Sequence, residues 1–225
     1  VLFQMTFAII APALMIGAWV DRARFSWVVI FCGLWSVVVY APVAHWIWGG
    51  GWLASSFGTV DFAGGLVVHT TAGVSALVVA ILMGKRRGFP EKPMIPHAPG
   101  LTMVGAAMLW VGWFGFNGGS ALAATDDASS AIINTHVAAA TASLVWLLIE
   151  RIGFGKTTMV GWATGAIAGL ATITPAAGFV SPGASILFGA LASIVCYVAV
   201  LQVRKLGIDD SLDVFAVHGV GGILG

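Results

Sequence analysis

The chain has 225 residues, of which 59% are hydrophobic and 8% are charged, and its formal net charge is +1. A soluble globular domain carries about 25% charged residues, so this composition excludes that class. The near-zero net charge and the absence of a basic stripe exclude a nucleic-acid partner. The two cysteines, Cys32 and Cys196, lie in apolar segments and are typical of small core residues, not of a disulfide framework or a metal site.

Apolar stretches of roughly the twenty residues that a membrane-spanning helix needs recur along the whole sequence. We predict eight such segments, at residues 1–20, 25–44, 62–84, 100–120, 131–149, 159–174, 184–203 and 214–225. The predicted fold class is therefore an all-α polytopic membrane protein. Because the first and last segments begin or end within a helical pattern, we expect residues 1–225 to be a single transmembrane domain truncated at both ends.

The distribution of basic residues supports this count of helices. All lysines and arginines fall in alternate loops, as Arg22 and Arg24, Lys85, Arg86, Arg87 and Lys92, Arg151 and Lys156, and Arg204 and Lys205. The intervening loops contain none. The positive-inside rule then predicts that the basic loops are cytoplasmic and that the other loops lie outside.

Two histidines lie within apolar segments, His69 in DFAGGLVVHTTAG and His218 in DVFAVHGVGG, with Asp61 and Asp213 a short way upstream. An ionisable side chain in a membrane span is costly and usually faces a pore or a bundle interior. The His69 segment is the third and the His218 segment is the eighth, so the two cross the membrane in opposite directions. This order predicts two halves of inverted topology, with equivalent helices meeting at a site near the midplane.

The two histidines have a structural and a functional interpretation. A single buried histidine is often a neutral imidazole that is hydrogen-bonded to a backbone carbonyl. Two imidazoles at inverted, equivalent positions favour a function instead, since each offers one N–H donor and one acceptor and titrates near physiological pH. No metal site is expected, because two histidines without further ligands at suitable spacing fall short of the usual set.

Aromatic residues form a second pattern. Phe3 and Phe7 are four residues apart and share a helix face, and a second cluster lies in GWFGFNGGS. Trp48 lies at the outer end of the second helix, just beyond the predicted segment, where an interfacial belt and a cation–π cage at a pore mouth are comparable interpretations. Asp61 begins the third segment, where its carboxylate fits both a helix cap and an anion that attracts cations; the two roles are compatible.

Six motifs run in order along the chain: AHWIWGGGWLA, DFAGGLVVH, GWFGFNGGSAL, AIINTHVAAA, GAIAGLATITPAAGFV and DDSLDVFAVHGVGGILG. Together they resemble the ammonium transporter family (Amt/Mep/Rh), and its Amt branch most closely. The resemblance implies eleven helices, the first ten in two inverted five-helix halves, of which this chain covers the third to the start of the tenth. It also implies a homotrimer with one pore in each subunit.

The same resemblance implies successive groups of residues along that pore. They are an outer ammonium-recruitment site of Phe3, Phe7, Trp48 and Ser120 with Asp61 beneath it, a phenyl gate of Phe7 and Phe116, and pore residues His69, His218 and Trp113. His136, in AIINTHVAAA, is given no role.

The function that the resemblance implies is ammonium transport across an inner or plasma membrane. NH4+ is expected to lose its proton at the gate, and NH3 to pass the histidine pair, with or without that proton. The expected partners are ammonium, its analogue methylammonium, and a PII-type regulatory protein that acts through a C-terminal region; no cofactor is expected. The alternatives are an ammonium sensor with the same fold, an Rh-type channel for neutral NH3 or CO2, and an unrelated ion-coupled transporter. The sequence contains no nucleophile–base constellation of the kind that would indicate an enzyme.

Overall fold

The computed structural model describes residues 1–92 and 94–225, and all regular secondary structure in that part of the chain is helical. The elements are α1 (Leu2–Trp19), α2 (25–48), α3 (Trp52–Phe57), α4 (Gly65–Met83), α5 (Pro99–Gly119), α6 (Asp126–Phe154), α7 (Met159–Ile173), α8 (Pro182–Lys205) and α9 (Phe215–Leu224). Within the described residues, 6 helices are long and apolar enough to cross a membrane, with α2 and α3 counted as one. This confirms the predicted all-α, multi-pass fold.

Each of the eight predicted segments corresponds to a helix, but two of them are short. α7 has 15 residues and ends at Ile173, just before Pro175 removes a backbone donor. α9 continues to Leu224, one residue before the last residue of the sequence. The largest error in a predicted boundary concerns α6, which was predicted over 131–149 and runs from Asp126 to Phe154. Asp126 and Asp127 therefore lie in its first turn, where a carboxylate interacts favourably with the helix dipole.

Small residues let α7 sit at the centre of the second half, against α6. A Cβ atom added at Gly165 would lie 2.6 Å from the Cβ of Trp146, and one at Gly169 would lie 2.6 Å from the carbonyl oxygen of Ala138. α8 packs on the same helix, where the hydroxyl of Ser193 donates to the carbonyl of α6 residue Ala142 at 2.6 Å. These contacts make α6, α7 and α8 one packed unit.

α4 and α9 cross each other at glycines, in antiparallel directions. A Cβ atom added at Gly73 would lie 2.3 Å from the Cα of Gly219, and one added at Gly222 would lie 2.4 Å from the carbonyl oxygen of Gly65. Later positions of α4 therefore face earlier positions of α9. This is the arrangement that inverted halves predict, with α1, α2 and α4 in the first half corresponding to α7, α8 and α9 in the second.

An ionic cluster joins the two halves at the basic end of the molecule. The guanidinium of Arg86 donates to both carboxylate oxygens of Asp209 at 2.9–3.1 Å, and the Arg86 backbone N–H donates to the same carboxylate at 2.7 Å. Arg22 donates to the backbone carbonyls of Asp209, Ala18 and Gly84. Three loops distant in sequence are thereby tied together on the side predicted to be cytoplasmic.

Candidate functional site

A pocket of about 300 Å³ opens at the end of the molecule opposite the basic loops. The structure brings together in its lining all the residues that were assigned to ammonium recruitment, which are Phe3, Phe7, Trp48, Asp61 and Ser120. The sequence analysis missed the remaining lining residues, which are Gln4, Phe62, Leu122 and Phe179. No local signal marks the missed residues, because they converge from separate segments of the chain.

Hydrogen bonds within the protein orient the polar groups of this outer pocket. The indole Nε1–H of Trp48 donates to the backbone carbonyl of Asp61 at 2.7 Å, and the Trp48 ring meets Phe7 edge-on with centroids 5.5 Å apart. The hydroxyl of Ser120 donates to the carbonyl of Phe116 at 2.8 Å, which leaves the lone pairs of the Ser120 oxygen available as acceptors. Trp48 therefore forms part of the pocket wall. Membership of an interfacial aromatic belt alone would not require these contacts.

The carboxylate of Asp61 is buried beneath the pocket, with 6% of the residue exposed. Its two oxygens accept hydrogen bonds of 2.7–2.9 Å from the backbone N–H groups of Gly64, Gly65, Leu66 and Val67. These are the free donors at the start of α4, so Asp61 caps that helix. Gly64 allows the tight turn this requires, because its φ of +109° lies in a region that side chains disfavour. The negative charge of this carboxylate attracts a cation in the pocket through space, without direct contact.

Phe7 and Phe116 close the inner side of the outer pocket. Their ring centroids are 4.4 Å apart with planes 34° from parallel, and Phe7 is almost completely buried. Phe3 meets Phe7 edge-on, with ring centroids 5.0 Å apart. The residues expected to form a phenyl gate therefore stack directly on each other between the pocket and the interior.

The two histidines meet below these rings. Nδ1 of His69 lies 3.2 Å from Nδ1 of His218, and the imidazoles are stacked with centroids 5.2 Å apart and planes 13° from parallel. One nitrogen of the pair donates and the other accepts, so the tautomers of the two rings are linked. Nε2 of His69 is buried without a hydrogen-bond partner in the described part of the chain.

Trp113 lies beside this pair and fixes the position of His69. The Trp113 ring stacks on His69 at 5.2 Å with planes 10° apart, and its Nε1–H donates to the hydroxyl of Thr174 at 2.8 Å. The Thr174 hydroxyl in turn donates to the carbonyl of Leu170 at 2.7 Å. Thr174 was not identified from the sequence, because a single threonine after a helix carries no distinctive signal.

The carboxylate that corresponds to Asp61 in the second half is Asp210, not Asp213 as the sequence analysis took it. Asp210 precedes His218 by the same eight residues that separate Asp61 from His69. Its Oδ2 accepts from the backbone N–H of Phe215 at 2.8 Å, at the start of α9. Asp213 instead pairs with Arg204 at 2.7 Å. The equal spacing was the signal that would have identified the correct residue.

Both histidines lie in short stretches of π-helix, Gly65–Thr70 and Phe215–Gly219. Such stretches are rare and frequently mark functional sites.

His136 lies away from this site. It is exposed on α6, and its ring lies 5.5 Å from that of Trp110 and 6.0 Å from that of Phe114. Within residues 1–92 and 94–225, no group of three or more His, Cys, Asp or Glu side chains is placed to hold a metal ion.

These features define a class of protein: a helical, multi-pass membrane protein whose inverted halves enclose a row of aromatic rings that leads to a histidine pair. Comparison with known proteins identifies the family. The chain belongs to the Ammonium Transporter Family, whose family model matches residues 1–225. The names of its relatives point to a transport protein and not to an enzyme.

Similar proteins of known sequence or structure agree with this assignment. Ammonium transporter Amt1 of Archaeoglobus fulgidus is 52% identical over 224 residues, which cover 100% of this chain and 57% of that protein. The crystal structure of Saccharomyces cerevisiae Mep2 matches with a TM-score of 0.91 and 43% identity, covering 99% of this chain and 51% of Mep2. A structure of a sensor Amt protein matches with a TM-score of 0.93 and 33% identity, covering 98% and 57%. The chain spans a little over half the length of these relatives.

Proposed function

We propose that this chain forms the ammonium-conducting part of a membrane transporter. The observation that carries the proposal is a continuous row of side chains from the outer pocket to the histidine pair. Ring centroids are separated by 4.4 Å between Phe7 and Phe116, by 6.0 Å between Phe116 and His69, and by 5.2 Å between His69 and His218. The row crosses from one half of the molecule to the other, as a pathway between inverted halves does.

The outer pocket recruits NH4+. Aromatic faces attract a cation within about 6 Å, and Phe3, Phe7 and Trp48 supply three rings. The Ser120 oxygen supplies a hydrogen-bond acceptor. Asp61 acts through its negative charge and not through contact, because its own oxygens are occupied by backbone N–H groups. A charged recruitment step of this kind argues against a neutral Rh-type gas channel.

The stacked rings of Phe7 and Phe116 select against ions that cannot lose their charge. Moving an unpaired charge through an apolar constriction costs many kcal/mol. NH4+ avoids this cost by giving up its proton in the outer pocket, so that neutral NH3 passes the rings and the proton moves inward separately. K+ and Na+ have no proton to lose, so the same constriction excludes them.

The histidine pair provides polar contacts for NH3 beyond the gate. The unpaired Nε2 of His69 offers a hydrogen bond to a passing molecule. The Nδ1–Nδ1 contact of 3.2 Å to His218 provides a path along which a proton moves when the two tautomers exchange. Transport of the proton together with NH3 makes the process electrogenic.

The wider setting is part of the same proposal. The complete protein lies in an inner or plasma membrane as a homotrimer, accepts methylammonium as an analogue, and is controlled by a PII-type protein. A second candidate function is ammonium sensing, which the similarity to a sensor Amt protein favours. Transport and sensing share the outer pocket, so only a measurement of flux separates them.

The test is the current evoked by an ammonium pulse in proteoliposomes that contain the complete protein. The wild type is expected to give an ammonium-evoked current. In the His69→Ala/His218→Ala double variant, this current is expected to be lost, or K+ is expected to pass as well. His136→Ala is the matched control, since it removes an imidazole outside the row, and it is expected to keep the wild-type current. Tight ammonium binding with neither a wild-type current nor uptake of labelled methylammonium contradicts transport and supports the sensor.

A further inference from the structure

A second cavity, also of about 300 Å³, lies at the basic end of the molecule, away from the row of aromatic rings and histidines. The loop between α4 and α5 forms one wall, and the end of α8 with the loop before α9 forms the other. Its charged lining consists of Arg86, Arg87, Lys92, Arg204, Asp209 and Asp210. Cationic side chains therefore outnumber carboxylates around it.

The carboxylates of this cavity are already engaged by the protein. Both oxygens of Asp209 accept from Arg86, and its side chain is 1% exposed. Asp210 is 6% exposed; its Oδ2 accepts from the Phe215 backbone N–H, and its Oδ1 is buried without a hydrogen-bond partner in the described part of the chain. Arg204 is paired with Asp213 at 2.7 Å. None of these groups leaves a freely accessible negative charge that favours a cation in the cavity.

Several cationic donors of the cavity lack a matching acceptor. Arg87 and Lys92 are exposed, and within the described residues their side chains make no salt bridge and no hydrogen bond. Within the described residues, the Nη1 group of Arg86 contacts the Met94 sulfur at 3.6 Å and an oxygen of the exposed Asp21 carboxylate at 3.9 Å. These contacts are weak or long, but Asp21 does pair with this guanidinium, so Arg87 and Lys92 are the donors that a ligand would engage.

We infer that this cavity binds a phosphate group, supplied either by the headgroup of an anionic lipid or by a soluble phosphate ester. A soluble phosphate monoester carries about −1.5 to −2 charge at pH 7 and three strong acceptor oxygens, and the phosphodiester of a lipid headgroup carries a single negative charge on two free oxygens; both match a cluster of arginine and lysine donors. The cavity is larger than a phosphate ion, which leaves room for the glycerol or sugar attached to it. The position at the predicted cytoplasmic face, where anionic lipids attract basic segments, suits both sources.

The inferred site is connected to the histidine pair by a short path. Asp210 lines the cavity and also caps the start of α9, the helix that carries His218. Arg86 lines it and follows α4, the helix that carries His69. A ligand held between the two loops therefore fixes the inner ends of both helices relative to each other.

The test measures binding and does not depend on transport. The thermal unfolding midpoint of the complete protein in detergent is followed with added glycerol 1-phosphate, and separately in nanodiscs of phosphatidylglycerol and of phosphatidylcholine. A ligand that binds only the folded state raises the midpoint. A rise with glycerol phosphate supports a soluble ligand; a rise only with phosphatidylglycerol supports a lipid headgroup.

Two variants with the same loss of charge make the test specific. Arg87→Gln/Lys92→Gln is expected to weaken phosphate binding about tenfold or more, since it removes two cationic donors and charge-assisted hydrogen bonds to phosphate are the strong ones. Arg24→Gln/Lys205→Gln removes two charges from the same face outside the cavity and is expected to bind as the wild type does. The inference is overturned if neither probe raises the midpoint, if acetate does so equally well, or if both variants respond alike.

Discussion

Nδ1 of His69 lies 3.2 Å from Nδ1 of His218, and each histidine stands eight residues after a buried aspartate that caps its helix. Asp61 serves the first half and Asp210 the second. A cap, a π-helical stretch and a histidine are therefore repeated as a unit. The antiparallel crossing of α4 and α9 brings the two units into contact, so the pair depends on the inverted repeat and not on either helix alone.

Removing the half-buried ring of the gate is expected to weaken selectivity without loss of the fold. Phe116→Ala deletes the ring that stacks on Phe7 at 4.4 Å, which opens the constriction to hydrated ions. In proteoliposomes, the ratio of K+ to ammonium conductance is expected to rise about tenfold or more, because the desolvation cost of an ion at the constriction falls by at least ~1.4 kcal/mol.

The control for this experiment is Phe114→Ala, two residues earlier on the same helix. Phe114 faces the His136 ring at 6.0 Å and lies outside the row from the pocket to the histidines. It is expected to keep the wild-type conductance ratio. Equal K+ leak in both variants contradicts a gate at Phe116.

The glycine crossing of α4 and α9 makes a second prediction. In Gly73→Ala the new Cβ atom meets Cα and N of Gly219 at 2.3 Å, and backbone atoms cannot move aside as a flexible side chain does. The variant is expected to lose about 3 kcal/mol of stability, or to fold with the histidine pair separated. Thermal unfolding in detergent measures the loss.

Gly105→Ala is the matched substitution for Gly73→Ala. Nothing lies within 4 Å of a Cβ atom added at Gly105, on the exposed face of α5. Alanine has the higher helix propensity, so this variant is expected to be as stable as the wild type or up to about 1 kcal/mol more stable. A similar loss in both variants shows that close packing is not the cause.

Much of this architecture follows from general patterns in the sequence. Hydropathy predicted the spans, and the basic loops with the order of the two histidine segments predicted inverted halves. The π-helical stretches had no sequence signal, because residue types barely distinguish them from an α-helix. The contacts at the inner end could not be predicted, because they join residues far apart in the sequence. Arg22 and Asp209, for example, are 187 residues apart along the chain. Asp210 was missed for another reason, since Asp213 is nearer to His218 and the repeat in spacing was not used.

The ionic cluster at the inner end makes a third prediction. Asp209→Ala leaves the guanidinium of Arg86 and the largely buried Arg22 without their carboxylate, and breaking such a buried pair costs about 3–5 kcal/mol. The corresponding change at the more exposed pair, Asp213→Asn, is expected to cost about 0–1 kcal/mol, because the Arg204 side chain is 60% exposed and asparagine tolerates the φ of +54° at this position. Chemical or thermal unfolding of both variants checks the difference. Equal losses contradict a buried ionic link between the halves.

The fourth prediction concerns the pH dependence of stability. Burial raises the pKa of Asp210 from its ordinary value of 3.8 to about 6, and the charge of Asp213 adds to the rise, while the hydrogen bond from Phe215 and the charge of Arg22 oppose it. Between these two pH values the folded state holds a proton that the unfolded state has released. Stability from this group is therefore present at low pH and is lost as pH rises from about 4 to 6, by up to about 3 kcal/mol.

Asp210→Asn isolates this contribution, because the amide stays neutral over the whole range. Unfolding midpoints measured from pH 4 to 7 in phosphate-free buffer are expected to fall less steeply in this variant than in the wild type. Ser211→Ala, next to it, keeps the carboxylate and is expected to keep the wild-type slope. Asp209 does not obscure the comparison: burial opposes its ionisation, but hydrogen bonds and charge from Arg86 hold its pKa below its usual value, outside this window. Identical slopes in the wild type and Asp210→Asn contradict a protonated Asp210 in the folded state.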